Sequence, residues 1–242
     1  MGTVAKSELT PFEIVLSTGE LTITGRLVDA TNATLLAKVS DRENEIVCIY
    51  KPIAGERPLW DFSAGTLAHR EYAAYLVSKL GNFEVVPLTV LRDGPYGKGM
   101  VQQWINIDKS LDLLEFFRRD EPTLRNIALF DAVINNTDRK IGHLLPDPHG
   151  KVYGCDHGVT FHSQDKLRTV LWQWAGQSLS ELEISQLRDL KSLLALSFRE
   201  MLLPFLSTDE LASLEMRLER LIATQTFPVP SDEWPAVPWP PF

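Results

Sequence analysis

PTLRNIALFDAVINNTDRKIGHLLPDPHGKVYGCDHG, residues 122–158, is the stretch on which the fold turns. Its first fifteen residues, to Asn136, are apolar on nearly every side, which predicts a helix buried in the middle of a lobe. The helix runs out in Asn136-Thr-Asp138-Arg139, a polar end that also suits an Asx turn. LLPDPHGKVYGCDHG (144–158) then predicts a loop and short strand pair with PDPHG as the turn, closing on Asp156-His-Gly158. Two aspartates therefore sit in irregular chain next to regular elements, where backbone and side-chain groups can reach a ligand.

Upstream, the pattern changes to strands. GELTITGRLV (19–28) alternates in polarity, TNATLLAKVS (31–40) follows a turn-rich break, and EIVCIYKPI (45–53) is β-branched and nearly continuous, which together predict an antiparallel sheet. TLAHREYAAYLVSKLG (66–81) switches to helical spacing, with Gly81 after its last turn. VVPLTVLRD (85–93) and MVQQWIN (100–106), around DGPYGKG (93–99), predict a hairpin. Downstream, two amphipathic helices are expected at roughly 179–203 and 208–224. The last fifteen residues, PVPSDEWPAVPWPPF, hold six prolines and two tryptophans. They are expected to dock as an extended strip on the body, a Pro-rich ligand for a protein partner being the alternative. The predicted organisation is an α+β chain of two lobes: residues 1–104 as sheet and helix, 105–227 mainly helical, and 228–242 the tail.

The chain has 242 residues, with 24 Lys+Arg against 32 Asp+Glu and a net charge of -8. That sign opposes a phosphate backbone and an anionic membrane surface, so neither nucleic acid nor a stable membrane anchor is expected. No run of about 18 apolar residues offers a span. MGTVAKSELTPFE (1–13) has no apolar run after its charges, hence no secretion signal, and Lys6 stands where a myristoylation signal needs Ser or Thr. Cys48 and Cys155 each lie in an apolar stretch and fit a reducing cytoplasm.

Four features stand in order: Lys51 at a strand end, Glu71 early in the next helix, Asp138 after the buried helix and Asp156 after the short strand. Each alone is ordinary. Together they are what phosphoryl transfer requires: a cation for the α- and β-phosphates held by a carboxylate, a carboxylate to accept the acceptor hydroxyl's proton, and oxygen ligands for a divalent cation. There is no Ser-His-Asp set with a nucleophile elbow, no Walker-type loop and no dinucleotide fingerprint.

IYKP (49–52), REYAAYLV (70–77), VP-TVL (86–91), FDAVINNTDR (130–139) and GCDHGVTF (154–161) make the chain, over about residues 25–175, resemble the phosphatidylinositol 3- and 4-kinase-related branch of the protein-kinase-like fold. It is most similar to the type II phosphatidylinositol 4-kinases and to an actinobacterial family of phosphatidylinositol-kinase-like proteins, and more distantly to the toxin kinase HipA. The resemblance implies a two-lobed fold using ATP with Mg²⁺ or Mn²⁺. It makes Lys51 the ATP lysine, Glu71 its helix partner, Asp138 the catalytic aspartate and Asp156 the metal aspartate. Asp29–Thr34 would cover the phosphates, with Asn32 and Thr34 as donors, and Gln103, Trp104 and Ile105 would meet the adenine. Arg139 joins the catalytic set, and with Asn136 supports the loop.

Two departures matter. His143 stands where these families carry a metal-binding Asn, and imidazole suits Mn²⁺ better than Mg²⁺. Lys140 stands where the 3-kinases carry a His, and is either a contact to the transferring phosphoryl group or a solvated lysine. His149 and His162 are expected to be exposed or structural. His157 is expected to pack on the helix of Glu71, and Asp131 to brace the loop of Asp138. The expected function is an ATP-dependent kinase with a small-molecule, lipid or protein acceptor; the alternatives are a nucleotide-binding pseudokinase or scaffold, and an AMP-transferring enzyme.

Overall fold

In the computed structural model, residues 10–27 and 32–242 are described. The chain begins with a helix that the sequence reading does not anticipate, α1 (Pro11–Thr18). Its start signal is nonetheless complete: Thr10 accepts from the Glu13 amide, Glu13 returns a bond to the Thr10 amide, and Pro11 opens the first turn. Eight residues are too few to establish a hydrophobic period.

Five strands form an antiparallel sheet in the order β1-β2-β3-β5-β4: β1 (Glu20–Arg26), β2 (Leu35–Ser40), β3 (Glu45–Pro52), β4 (Thr89–Gly94) and β5 (Gly97–Gln103). β3 decides the use of the sheet. Its alternation buries Ile46, Cys48 and Tyr50 on one face, in a small core with Leu16 of α1, Val39 of β2 and Val101 of β5. Ile49 and Lys51 point to the other face, toward the second lobe. The hairpin begins later than the sequence predicts, at Thr89, because the amides of Val85 and Val86 are bound by Ser78 Oγ at 2.9 and 3.1 Å.

Between β3 and β4 runs α2 (Leu67–Leu80), and beyond the sheet come the short α3 (Leu113–Phe116), also unpredicted, and α4 (Pro122–Ile134). α4 ends two residues early, where Asn135 takes a left-handed φ of 51° and its side-chain amide donates to the carbonyls of His162 and Gln164. The two-stranded sheet of β6 (Leu144–Pro146) and β7 (Val152–Gly154) follows. The helix expected over 179–203 is two: α5 (Glu181–Leu193) and α6 (Arg199–Leu202), separated by a π-type turn at Leu194–Phe198 in which Leu196 leaves helical geometry. α7 (Thr208–Thr224) buries Leu211, Leu214, Leu218 and Leu221, with Ile222 half-buried beside them. The larger core joins these helices to α2 through side chains such as Ala73, Val77, Phe130, Trp174, Leu187 and Leu214.

Residues 228–242 lie along the helical lobe. The Ala236 carbonyl accepts from the Thr169 amide (3.0 Å) and from Trp172 Nε1 (2.9 Å), and the Pro241 carbonyl accepts from the Ile141 amide (2.9 Å). Among the described residues, no helix is long and apolar enough to cross a membrane.

Glu13 ties α1 to α2: its buried carboxylate accepts from Tyr75 Oη at 2.7 Å and Lys79 Nζ at 2.5 Å. Burial alone would raise its pKa, but the bonds from Lys79, Thr10 and Tyr75 outweigh that and hold it at about 2. A depressed carboxylate stabilises the fold above its unfolded pKa, and the gain is lost as pH falls toward 2. Glu13→Gln is therefore expected to lower Tm near neutral pH, with the gap to wild type shrinking as the solution is acidified to about pH 3. A gap that stays constant in a pH series of melting curves would contradict this account.

Candidate active site

Lys51 lies where β3 leaves the sheet, and its ammonium bridges two carboxylates: Glu71 Oε1 of α2 at 2.5 Å and Asp156 Oδ1 at 2.8 Å. Burial works against the ammonium, but Asp156 and then Glu71 outweigh it and hold its pKa above the usual lysine value. Lys51 in turn holds the Asp156 carboxyl well below the carboxylate range. Glu71 is almost fully buried, and desolvation is the main influence on it, pushing its pKa up. Its second oxygen accepts the His157 amide at 3.1 Å.

Behind this pair is a buried ionic brace. Arg139 is wholly buried and forks onto Asp131 of α4, Nε to Oδ2 at 2.9 Å and Nη2 to Oδ1 at 2.9 Å. Its remaining donors meet the Cys155 carbonyl (2.9 Å) and His157 Nε2 (2.7 Å). Burial, followed by the Arg139 charge, drives His157 well below the ordinary histidine pKa, so its ring is neutral and Nε2 accepts from Arg139. Asn136 completes the brace, donating from Nδ2 to Asp131 Oδ1 (2.9 Å) and accepting the Asp138 amide on Oδ1 (3.0 Å). Gly154 is required here: a Cβ would lie 2.9 Å from Arg139 Nη2 and 3.1 Å from its Cζ, so any side chain would push the guanidinium aside.

Two adjoining cavities share Thr34, Lys51, Gly142 and Asp156. One, of about 520 Å³, also holds Asn32, Asp138, Lys140 and His143. The other, of about 450 Å³, is walled by Leu27, Ile49, Trp104, Ile105 and Leu145. The four-feature set read from the sequence thus converges on one cleft, polar at one end and apolar at the other. Asp138 has its carboxyl raised by burial; Lys140 Nζ, 3.5 Å from Oδ2, pulls it back down, and the Asp156 charge adds to the rise. Asp156 takes a left-handed φ of 62° that aims its half-exposed carboxylate into the cleft. His143 Nε2 is 3.4 Å from Asp156 Oδ2, and burial lowers its pKa to about 4, leaving a neutral imidazole.

Several expectations need revision. Arg139 does not face the cleft; the cost of burying an unpaired guanidinium confines it to the brace, and it touches no ligand position. Asp156 is itself the positive-φ residue of Asp156-His-Gly158, while Gly158 lets α2 approach, a Cβ there meeting Leu67 Cβ at 3.4 Å. Of the three residues expected to meet the adenine, Gln103 and Trp104 already donate their amides to Leu88 and Val47, so Ile105 is the one whose amide has no partner among the described residues. Asn32 Oδ1 accepts the Arg57 amide at 2.8 Å, and Thr34 is buried. The rest of the phosphate-loop reading, residues 29–31, lies outside the described residues. Burial pushes both cysteine thiols up to about 12, so neither is a nucleophile at neutral pH.

Three contributors are missed in the sequence. Arg70, ordinary-looking on a helix, is buried and joins α2 to the Thr160 carbonyl (2.7 Å) and to Glu210 of α7. Glu56 caps α2 through the Leu67 and Ala68 amides, and Phe242 lines the polar cavity. A Glu eleven residues before Leu67 is outside any short capping pattern, and Phe242 is too distant in sequence to be placed.

The architecture is that of a two-lobed kinase-like α+β fold. The structure of the golgi casein kinase superposes with a TM-score of 0.53 at 14% identity, covering 88% of this chain and 74% of that one. A Helicobacter pylori proinflammatory kinase, CtkA, gives 0.47 at 11% identity over 88% and 94%. No protein-family profile matches the chain. Protein Rv2133c of Mycobacterium tuberculosis is 38% identical over 263 aligned positions, 94% of each chain, and this chain belongs to the Rv2133c family.

Removing Asp131 while Arg139 stays buried leaves an uncompensated charge, a change that costs about 3–5 kcal/mol. Asp131→Ala is expected to lose that much in chemical denaturation; a loss below about 1 kcal/mol would refute the brace.

Proposed function

We propose that the protein is an ATP-dependent phosphotransferase that moves the γ-phosphoryl group of ATP to a hydroxyl acceptor. The observation that carries this reading is Lys51, held between Glu71 and Asp156 where the apolar and polar cavities meet. The apolar cavity suits an adenine ring, with the Ile105 amide as its donor. Lys51, with Asn32 and Thr34 nearby, would neutralise the α- and β-phosphates, and Glu71 keeps the ammonium in place.

In the transfer, the acceptor oxygen forms a bond to the γ-phosphorus while the bond to the β–γ bridging oxygen breaks, and ADP leaves. The acceptor's proton passes to Asp138, whose raised pKa makes it a better base. Lys140 stands beside it to balance charge on the moving group. Among the described residues, no three His, Cys, Asp or Glu side chains form a ready-made metal cage. Asp156 and the neutral His143 are the residues that would hold Mg²⁺ or Mn²⁺ in the polar cavity. When bound, the cation supplies charge neutralisation to the phosphates.

The acceptor is a small molecule, a lipid headgroup or a protein hydroxyl. Resemblance to the phosphatidylinositol kinases supports the second, and a net charge of -8 weighs against a membrane-held one. His143 in place of an amide ligand favours, as a second reading, a nucleotide-binding pseudokinase.

ATP with Mg²⁺ or Mn²⁺ is expected to raise Tm of the wild type and not of Lys51→Met. Asp138→Ala should keep the shift and lose ATP turnover by about 10²–10⁴-fold. Binding without turnover in the wild type would select the pseudokinase, and no binding would sink both readings. His143→Asn is expected to move the ratio of Mg²⁺- to Mn²⁺-supported turnover toward Mg²⁺; an unchanged ratio means that His143 is not a ligand.

A further inference from the structure

The loop that carries Asp138, Lys140 and His143 is held on two sides by backbone bonds. On one side, the Arg139 amide donates to Arg168 and the Val170 amide to Arg139, both at 3.1 Å. On the other, the Ile141 amide donates to the Pro241 carbonyl at 2.9 Å. The tail reaches that point by way of Ala236, whose carbonyl is anchored on Thr169 and Trp172, and of Trp234, whose ring lies 4.4 Å from the Lys166 ammonium. The side chain of Phe242 then lines the polar cavity with Asp138, Lys140 and His143, its ring 3.9 Å from the position of a Cβ on Gly142.

The composition suits this task. Pro240 and Pro241 have fixed φ and no N–H, so at these two positions the segment offers carbonyl acceptors and competes for none of the loop's own acceptors. Burial does not explain the placement: Trp239 is 86% exposed and Phe242 60% exposed, so these two aromatic side chains gain little by being there. What the last residues do touch is the loop.

We propose that residues 239–242 are a working wall of the active site: Pro241 and Phe242 are positioning residues that fix the loop of Asp138 and Lys140 at Ile141 and Gly142, in addition to the bonds that the Arg168–Val170 segment makes to Arg139. The proposal rests on the phosphotransferase reading for its effect on turnover and on geometry alone for its effect on the loop.

The test compares the full chain with a chain ending at Pro238, which keeps the Ala236 anchors and the buried Pro238. Hydrogen exchange over residues 139–145 is followed by mass spectrometry, and ATP hydrolysis with Mg²⁺ and with Mn²⁺ is measured alongside Tm. Expected are faster exchange over 139–145, Tm and KM for ATP little changed, and kcat lower by about tenfold to a hundredfold, the scale of an ångström-sized misplacement of catalytic groups. Unchanged exchange overturns the proposal, as does faster exchange with unchanged kcat. A joint loss of Tm, KM and kcat also overturns it, because that pattern marks general destabilisation. If the full chain hydrolyses no ATP, that failure belongs to the phosphotransferase reading; faster exchange then upholds the wall and unchanged exchange removes it.

Discussion

A guanidinium taken wholly out of water must have its charge and its donors met, and Arg139 meets that demand by drawing in several parts of the site at once. Asp131 comes from α4, the Cys155 carbonyl from the residue before Asp156, and the His157 ring from the residue after it. His157 passes the connection to Glu71 through its amide, Glu71 to Lys51, and Lys51 to Asp156. The loop of Asp138, α2 and β3 are thus joined by one run of polar contacts in which each member supplies what its neighbour needs. Networks of this kind specify a unique arrangement because a partly satisfied version is costly.

The sheet contributes through its period of two. Because Ile46, Cys48 and Tyr50 fill the small core with α1, Ile49 and Lys51 must face the cleft, so core and site are specified by the same eight residues. α2 does the equivalent for the helical lobe, burying Ala73 and Val77 in the large core while presenting Glu71 and Arg70 to the polar contacts.

Much of this was legible before any coordinates. The antiparallel pairing of the first three strands followed from their shortness and tight turns, and the buried helix from its all-round apolarity; the pairing of β3 with β5, which sets the sheet order, links distant segments and left no local signal. Lys51, Glu71, Asp138 and Asp156 stand out in the sequence because their local contexts are distinct and their order matches a known arrangement, and the structure brings all four to one cavity. What escaped was set by distance in the chain. Glu13 meets Lys79 and Tyr75 across more than sixty residues, Arg70 meets Glu210 across 140, and Phe242 lines the same cavity as Asp138 from more than a hundred residues away. Arg139 is readable as a support of the loop, but its complete burial on Asp131 is not, because the direction of its side chain is not a local property. The π-type turn at Leu194–Phe198 leaves no mark in the sequence, because leucines continue through it.

Because α2 is part of the large core, the helix carrying Glu71 cannot swing away without opening the centre of the molecule. Many two-state switches keep such an element in a loosely packed position, so that the competent form is one of several and a ligand must first select it. Here the arrangement of Lys51 between Glu71 and Asp156 belongs to the folded state itself. A ligand that binds this folded arrangement and not the unfolded chain adds its binding free energy to the resistance of the whole chain to unfolding.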